Sequence, residues 1–221
     1  MMPGSFVVTL SAWLSASALL PAVLLAGGPP DTSARPRIVA LGDSLTSGHG
    51  IGAARAYPAV LQERIDEEGL PFEVVNAGVS GATSSDGVRR LSAALQGHVQ
   101  ILIVALGAND GLRGVPVERL TSNLTRIITE AQSRNIDVVL CGMDALPIYG
   151  WNYTVAFHQT YRQLAEQFHV PLVPFMLSGV IANQSMMQRD GIHPNASGAR
   201  QIAENIWPYL EPLVHHTVGT R

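Results

Sequence analysis

The stretch Arg37-Ile-Val-Ala-Leu-Gly-Asp-Ser-Leu-Thr-Ser-Gly48 decides the fold, because its apolar run stops abruptly at a polar turn. An Ile/Val/Leu run bounded by glycine predicts a buried strand, and Gly42-Asp43-Ser44 predicts the crossing from that strand into a helix. Ligands of open α/β sheets bind at the carboxyl ends of strands, which makes Ser44 a candidate nucleophile. Ser and Asp are also favourable N-cap residues, so capping the helix is the alternative role.

Four further apolar segments follow and alternate with segments of helical periodicity. The segments are 72–76, 99–106, 136–143 and 170–174, and the helical patterns are 57–65, 88–95, 117–131, 153–168 and 196–210. Strands that alternate with helices predict right-handed crossovers and a parallel sheet covered on both faces. Segment 99–106 reads as a central strand, whereas the prolines of 170–174 favour an edge. We predict an α/β fold, a three-layer α/β/α sandwich with a five-stranded parallel sheet.

Composition argues for a single domain that acts on a small molecule. The chain has 221 residues, 47% of them hydrophobic and 14% charged, with a formal net charge of -3. Every basic residue is arginine, and the arginines are scattered rather than clustered, so we expect no nucleic-acid partner. The single cysteine, Cys141, cannot form an internal disulfide.

The start of the chain resembles an export signal. Residues 1–30 carry no charged side chain, and Phe6 to Ala26 is almost continuously apolar or small. We expect a signal peptide or N-terminal anchor at 1–27, a linker at 28–36, the folded domain at 37–214 and a fraying tail at 215–221. A cleaved signal predicts a periplasmic or secreted protein. The alternative is anchoring by residues 6–26, the only part expected to contact a membrane.

Polar turns after the apolar segments carry a candidate acyl-transfer site. Acyl transfer needs a hydroxyl, a base, an acid that orients the base, and donors for the developing oxyanion. Ser44 would be the nucleophile, His193 the base and Asp190 its orienting carboxylate. The Ser44 N–H, the Gly78 N–H and the Asn109 side-chain amide would form the oxyanion hole. Gly78 could instead supply a positive φ, and Asn109 could hold a turn through an Asx bond.

These turns together resemble the SGNH (GDSL) hydrolase family, and most closely its thioesterase I/lysophospholipase/arylesterase branch. The four blocks are Gly42-Asp-Ser-Leu45, Asn76-Ala-Gly78, Gly107-Ala-Asn109 and Asp190-Gly-Ile-His193. The resemblance implies a flavodoxin-like sheet in the order 2-1-3-4-5, a serine mechanism without metal or cofactor, and the residue roles assigned above. It also implies an acyl ester or thioester as substrate, of the aryl ester, lysophospholipid or acyl-CoA type.

Two other functions remain open at this point. One is a carbohydrate O-acetyl esterase, and the other is a catalytically silent acyl-chain-binding protein. A nucleotide-binding module is disfavoured because the sequence lacks both G-x-G-x-x-G and G-x-x-x-x-G-K-[ST]. We expect Asp43 to hold the turn beside the nucleophile, and we expect Trp151 and Tyr153 to lie near the acyl site.

Overall fold

The computed structural model describes Met1 and residues 35–219, which contain a five-stranded parallel sheet between two layers of helices. The strands are β1 Arg37–Gly42, β2 Glu73–Gly78, β3 Val99–Ala105, β4 Asp137–Cys141 and β5 Leu172–Val173. The helices are α1 Ser44–Ser47, α2 Tyr57–Glu67, α3 Ser84–Ala94, α4 Ala108–Leu112, α5 Val117–Ser133, α6 Trp151–Phe168 and α7 Ala196–Gly219. Short 3-10 turns lie at Ala53–Arg55 and Pro147–Tyr149.

The sheet has the order β2-β1-β3-β4-β5, as the resemblance implied. In the parallel register, Gly42 at the end of β1 pairs with Gly78 of β2 and with Ala105 of β3. The carboxyl ends of these three strands therefore meet at one edge, and the turns that follow them start side by side. The prediction of a three-layer α/β/α fold is confirmed, and β5 is an edge strand as its prolines indicated.

Two groups of helices cover the sheet. Helices α2 and α7 pack together, and α5 packs against α3 and α6. Helix α5 shows why these segments are helical, because its buried residues recur at three- and four-residue intervals. They are Leu120, Leu124, Ile127, Ile128 and Ala131. The apolar face of each helix is thus buried by the sheet, which holds the strand ends in a fixed arrangement.

The end of the chain differs from the sequence prediction. Helix α7 continues across Pro208 and Pro212 to Gly219, although residues 215–221 were expected to fray. Trp207, Leu210 and Val214 are buried on this helix, and their burial offsets the backbone hydrogen bonds that the prolines remove. Apart from Met1, the predicted signal peptide lies outside the described residues, and so does most of the predicted linker. None of the described helices is long and apolar enough to cross a bilayer.

Candidate active site

Ser44 occupies the first position of α1, directly after β1. Asp43 is the N-cap of this helix, and its carboxylate accepts the Leu45 N–H at 3.0 Å. Ser44 was itself a candidate for the cap, but the cap of α1 is Asp43. The Ser44 hydroxyl is therefore available to other partners, while its N–H has no carbonyl of a preceding turn to bond.

Gly42 allows α1 to fold back over the end of β1. A Cβ at this position would lie 1.8 Å from the Thr46 Oγ1 and 3.0 Å from the Ala105 carbonyl oxygen. Thr46 is itself fully buried and shares a 3.0 Å hydrogen bond with the Tyr57 hydroxyl. The start of the turn that presents Ser44 is thus tightly packed against the core, and only glycine fits there.

The structure brings Ser44, His193 and Asp190 together. The His193 Nε2 lies 3.2 Å from the Ser44 Oγ, and the His193 Nδ1 lies 2.7 Å from the Asp190 Oδ2. The other carboxylate oxygen, Asp190 Oδ1, accepts the N–H groups of His193 at 3.0 Å and Ile192 at 2.9 Å. A hydroxyl, an imidazole and a carboxylate therefore form a continuous chain of hydrogen bonds.

These same bonds set the charge of Asp190. The backbone N–H of His193, then its side chain, then the N–H of Ile192 lower the pKa of the Asp190 carboxyl well below its usual range. An ionised Asp190 accepts a hydrogen bond from a protonated Nδ1 of His193, so the imidazole presents the lone pair of Nε2 to Ser44. The pair is therefore arranged for the imidazole to remove a proton from the serine hydroxyl.

The structure does not support Gly78 as an oxyanion donor. Its N–H donates to the Asn76 Oδ1 at 3.0 Å, and Gly78 lies within β2 rather than in a turn. Its φ is not positive, and a Cβ would lie 2.3 Å from the Ser47 backbone nitrogen. Glycine is needed here because α1 approaches β2 closely. The Gly78 N–H is already hydrogen-bonded to the Asn76 side chain and does not point to a substrate. The expected role of Gly78 toward substrate is therefore corrected.

Gly81 is the residue that sequence analysis missed. It lines the same cavity as Ser44 and Asn109, adopts a φ of +79°, and its carbonyl accepts the Arg113 Nη2 at 2.9 Å. Among the described residues its N–H has no acceptor. The glycine in Val79-Ser-Gly81, three residues after Gly78, was the available signal, but two glycines so close in sequence cannot be ranked without knowing which N–H is free.

Asn109 lies at the second position of α4, where its amide is held beside the nucleophile turn. Its Nδ2 donates to the Asp43 Oδ2 at 3.2 Å and to the Ala82 carbonyl at 3.1 Å. Both distances are at the long end of the range for such bonds. Burial raises the pKa of the Asp43 carboxyl to about 6, against the opposing effect of the Leu45 N–H and the Asn109 amide.

A cavity of about 490 Å³ opens beside Ser44 and is lined mainly by apolar side chains. They include Leu45, Met143, Leu146, Phe175, Ile181 and Ile192. Trp151 and Tyr153, expected near the acyl site, do not line it. Trp151 is 71% exposed, and the Tyr153 hydroxyl instead donates to the Val115 carbonyl at 2.9 Å. The cavity walls come from α1, α4 and the loops after β4 and β5.

One described cluster has the geometry of metal ligands. Atoms of Glu68, Glu211 and His215 lie within 4.8 Å of one another on the face where α2 meets α7. Glu68 is already paired with Arg64, and none of the three residues lines the cavity. This cluster is separate from the Ser44 site and plays no part in its chemistry.

Comparison with known proteins places the chain in a family. Residues 40–201 match the GDSL-like lipase/acylhydrolase family. Esterase TesA of Pseudomonas aeruginosa is 39% identical over 178 residues, which cover 80% of this chain and 89% of that protein. Thioesterase 1/protease 1/lysophospholipase L1 of Escherichia coli is 38% identical over 180 residues, covering 81% and 85%.

A solved structure shows the same likeness in three dimensions. The psychrotrophic esterase EstA from Pseudoalteromonas sp., in a structure inhibited by monoethylphosphonate, superposes with a TM-score of 0.76 at 30% identity. The match covers 81% of this chain and 98% of that one. The chain belongs to the GDSL-like lipase/acylhydrolase family. The predicted family is confirmed, and so is the predicted class, a serine hydrolase of carboxylic esters.

Proposed function

We propose that the protein hydrolyses acyl esters or thioesters by forming an acyl-enzyme on Ser44. The observation that carries this proposal is the hydrogen-bonded chain from Ser44 Oγ through His193 to Asp190 at the mouth of an apolar cavity. A silent acyl-chain-binding protein has no need for an imidazole oriented toward a serine hydroxyl. The geometry therefore favours turnover over binding.

In the first half-reaction, the Ser44 Oγ attacks the acyl carbonyl carbon while His193 Nε2 accepts the hydroxyl proton. The tetrahedral intermediate collapses, the bond to the leaving alcohol or thiol breaks, and His193 returns the proton to it. In the second half-reaction, His193 takes a proton from water as the water oxygen attacks the acyl carbon. The second tetrahedral intermediate collapses, the bond between Ser44 Oγ and the acyl carbon breaks, and His193 returns the proton to Ser44 as the carboxylic acid leaves. Asp190 keeps Nδ1 protonated and stabilises the imidazolium in both halves.

The oxyanion of each intermediate would be bound by three donors that face the cavity. They are the N–H groups of Ser44 and Gly81 and the side-chain amide of Asn109. Support comes from the unoccupied N–H of Gly81 and from the position of Ser44 at a helix start. Asn109 must share or release one of its long bonds to Asp43 or Ala82 when it donates to the oxyanion.

The acyl group of the substrate would occupy the apolar cavity. Its volume of about 490 Å³ is within the range of small-molecule sites, and its walls offer far more apolar than polar surface. Aryl esters, lysophospholipids and acyl-CoA thioesters all carry such a group. An acetyl group would leave most of this surface uncovered, which disfavours the carbohydrate O-acetyl esterase. A series of p-nitrophenyl esters from acetyl to decanoyl should show kcat/KM rising beyond acetyl.

Replacement of Ser44 tests the mechanism directly. Ser44→Ala should lower kcat for p-nitrophenyl butyrate at least about 10⁴-fold, and the wild type alone should be labelled by a fluorophosphonate. The matched control is Ser133→Ala, the same change at the exposed end of α5. A folded Ser44→Ala protein that retains most of its activity would overturn the proposal. A wild type that neither turns over nor is labelled would support the silent binder.

We also propose that residues 1–27 direct export and that the mature enzyme is periplasmic or secreted. The support is the uncharged, apolar character of that segment. N-terminal sequencing of the exported protein should find a start near Gly28. Retention of residues 6–26 in a membrane fraction would instead indicate an anchor.

A further inference from the structure

The general base is carried by a loop whose catalytic side chains lie outside the core, although Met186 and Met187 pack against it. Residues 186–195 connect to α7, and most of their side chains are partly or fully exposed. Main-chain bonds close the loop on itself, from Gln188 N–H to the His193 carbonyl and from Asn195 N–H to the Met186 carbonyl, both at 2.8 Å. These bonds define the shape of the loop, but they do not connect it to the turn that carries the nucleophile.

The side chain of Gln188 makes that connection. Its Nε2 donates to the Pro194 carbonyl at 2.9 Å, next to the general base. The same Nε2 donates to the His49 carbonyl at 2.7 Å, in the turn that follows α1. The His49 N–H in turn donates to the Ser44 carbonyl at 3.1 Å. One half-buried amide thus joins the segment of the base to the segment of the nucleophile.

The surroundings of Gln188 are shaped around this amide. A Cβ on Gly50 would lie 2.1 Å from the Gln188 Oε1, so the glycine leaves the space that the side chain occupies. Gly50 also has a φ of +75°, which suits glycine. The two joined segments meet a second time where the rings of His49 and His193 pack with centroids 4.4 Å apart.

We propose that Gln188 is a positioning residue, whose amide ties the base loop to the nucleophile turn and so sets the distance between His193 Nε2 and Ser44 Oγ. This inference rests on the proposed function of Ser44 and His193. The 3.2 Å link between these two atoms joins two separate segments, and displacement of a catalytic group by about 1 Å is enough to slow a reaction substantially. Gln188 acts through His193 and has no contact with the reacting atoms.

The test removes the two hydrogen bonds and keeps the volume. Gln188→Met should lower kcat for p-nitrophenyl butyrate about tenfold, leave KM within about threefold, and slow fluorophosphonate labelling in proportion to kcat. Rates are expressed per active site titrated with the fluorophosphonate, so a loss of folded enzyme does not count. The control is Gln201→Met on α7, whose amide donates to Asn205 at 3.0 Å, and its kcat should match the wild type.

A purely structural role for Gln188 would lower the melting temperature and the titrated fraction while leaving kcat per active site unchanged, and that result would overturn the inference. If Gln188→Met does not fold, Gln188→Glu replaces it, because the carboxylate keeps the shape and cannot donate to either carbonyl. A wild type without Ser44-dependent turnover would instead contradict the proposed function. The two failures are thereby distinguished.

Discussion

The nucleophile turn, residues 42–47, and the base loop, residues 186–195, meet at one site but are built in opposite ways. In the nucleophile turn, Asp43 and Thr46 are fully buried and Leu45 nearly so. In the base loop, Asp190 is exposed and His193 is only partly covered. The turn is positioned by close packing of backbone between β1, β2 and α1, whereas the loop is positioned by hydrogen bonds of a few side chains.

Because of this difference, substitutions in the two segments should affect different properties, stability in one and catalysis in the other. A change in the nucleophile turn acts on the core and is expected to reduce stability, since packed interiors relax poorly. A change in the base loop acts on hydrogen bonds at the surface and is expected to reduce catalysis while the fold persists. Variants in the two segments test that separation.

The largest effect should come from the loop carboxylate. Asp190→Asn can still accept the two backbone N–H groups, but its amide would face Nδ1 as a donor, so the imidazole would carry its proton on Nε2 and could not accept one from Ser44. We expect kcat to fall about 10⁴-fold, with the melting temperature little changed. The control Asp137→Asn lies at the amino-terminal end of β4 and should retain wild-type kcat. Coincident kcat values for both variants would refute the role of Asp190.

The nucleophile turn should respond in stability. Gly42→Ala places a methyl group 1.8 Å from the Thr46 Oγ1, inside the core. The Thr46 side chain must move to relieve this clash, which breaks its hydrogen bond with the Tyr57 hydroxyl. We expect a loss of at least about 3 kcal/mol in the free energy of unfolding. Urea denaturation of the purified variant measures it. A loss below about 1 kcal/mol would mean that the turn is less tightly packed than these distances indicate.

The two carboxylates should give pH dependences of opposite sign. Burial raises the pKa of Asp43 to about 6, so between pH 4 and 6 the folded state binds more protons than the unfolded state. The free energy of unfolding contributed by Asp43 therefore falls as pH rises through that window, by about 2–3 kcal/mol. The lowered pKa of Asp190 acts in the other direction, because its contribution is present above the unfolded pKa and is lost on acidification.

Asp43→Asn isolates the buried group. Denaturation curves at pH 4 and pH 7.5 should show that the variant loses less stability on going to the higher pH than the wild type does. Parallel changes in the two proteins would show that Asp43 does not titrate in this range.

The smallest effect should come from a glycine of the base loop. Gly191 has a φ of +68° with no atom within 4 Å of a Cβ, and Gly69 after α2 matches it with a φ of +67°. Alanine at either position should cost about 1–2 kcal/mol of stability. Only Gly191→Ala should also lower kcat per active site, because it shifts the loop that holds His193. Equal kcat values for the pair would show that the loop tolerates such a shift.

Much of the molecule was predictable from the sequence because the signals are local. The apolar runs predicted the five strands, and the three- and four-residue spacing predicted the helices on both faces. Ser44, Asp190 and His193 were selected because each lies at a turn with the chemistry that acyl transfer requires. The helical end of α7 was missed because burial of its apolar face outweighs two prolines.

The sequence by itself determined the order of strands and helices, the family, and the residue types available at the sheet edge. Only the tertiary structure decided which of two glycines keeps a free N–H, since that depends on the Asn76 side chain capturing the N–H of Gly78 while Gly81 faces the cavity. It also decided that Asp43 caps α1, leaving the Ser44 hydroxyl to His193 across 149 residues of sequence. Periodicity reports which face of an element is buried, but the partner of an individual donor or acceptor depends on how the folded chain orients its neighbours, both those two residues away, as at Gly78, and those far away, as at Ser44.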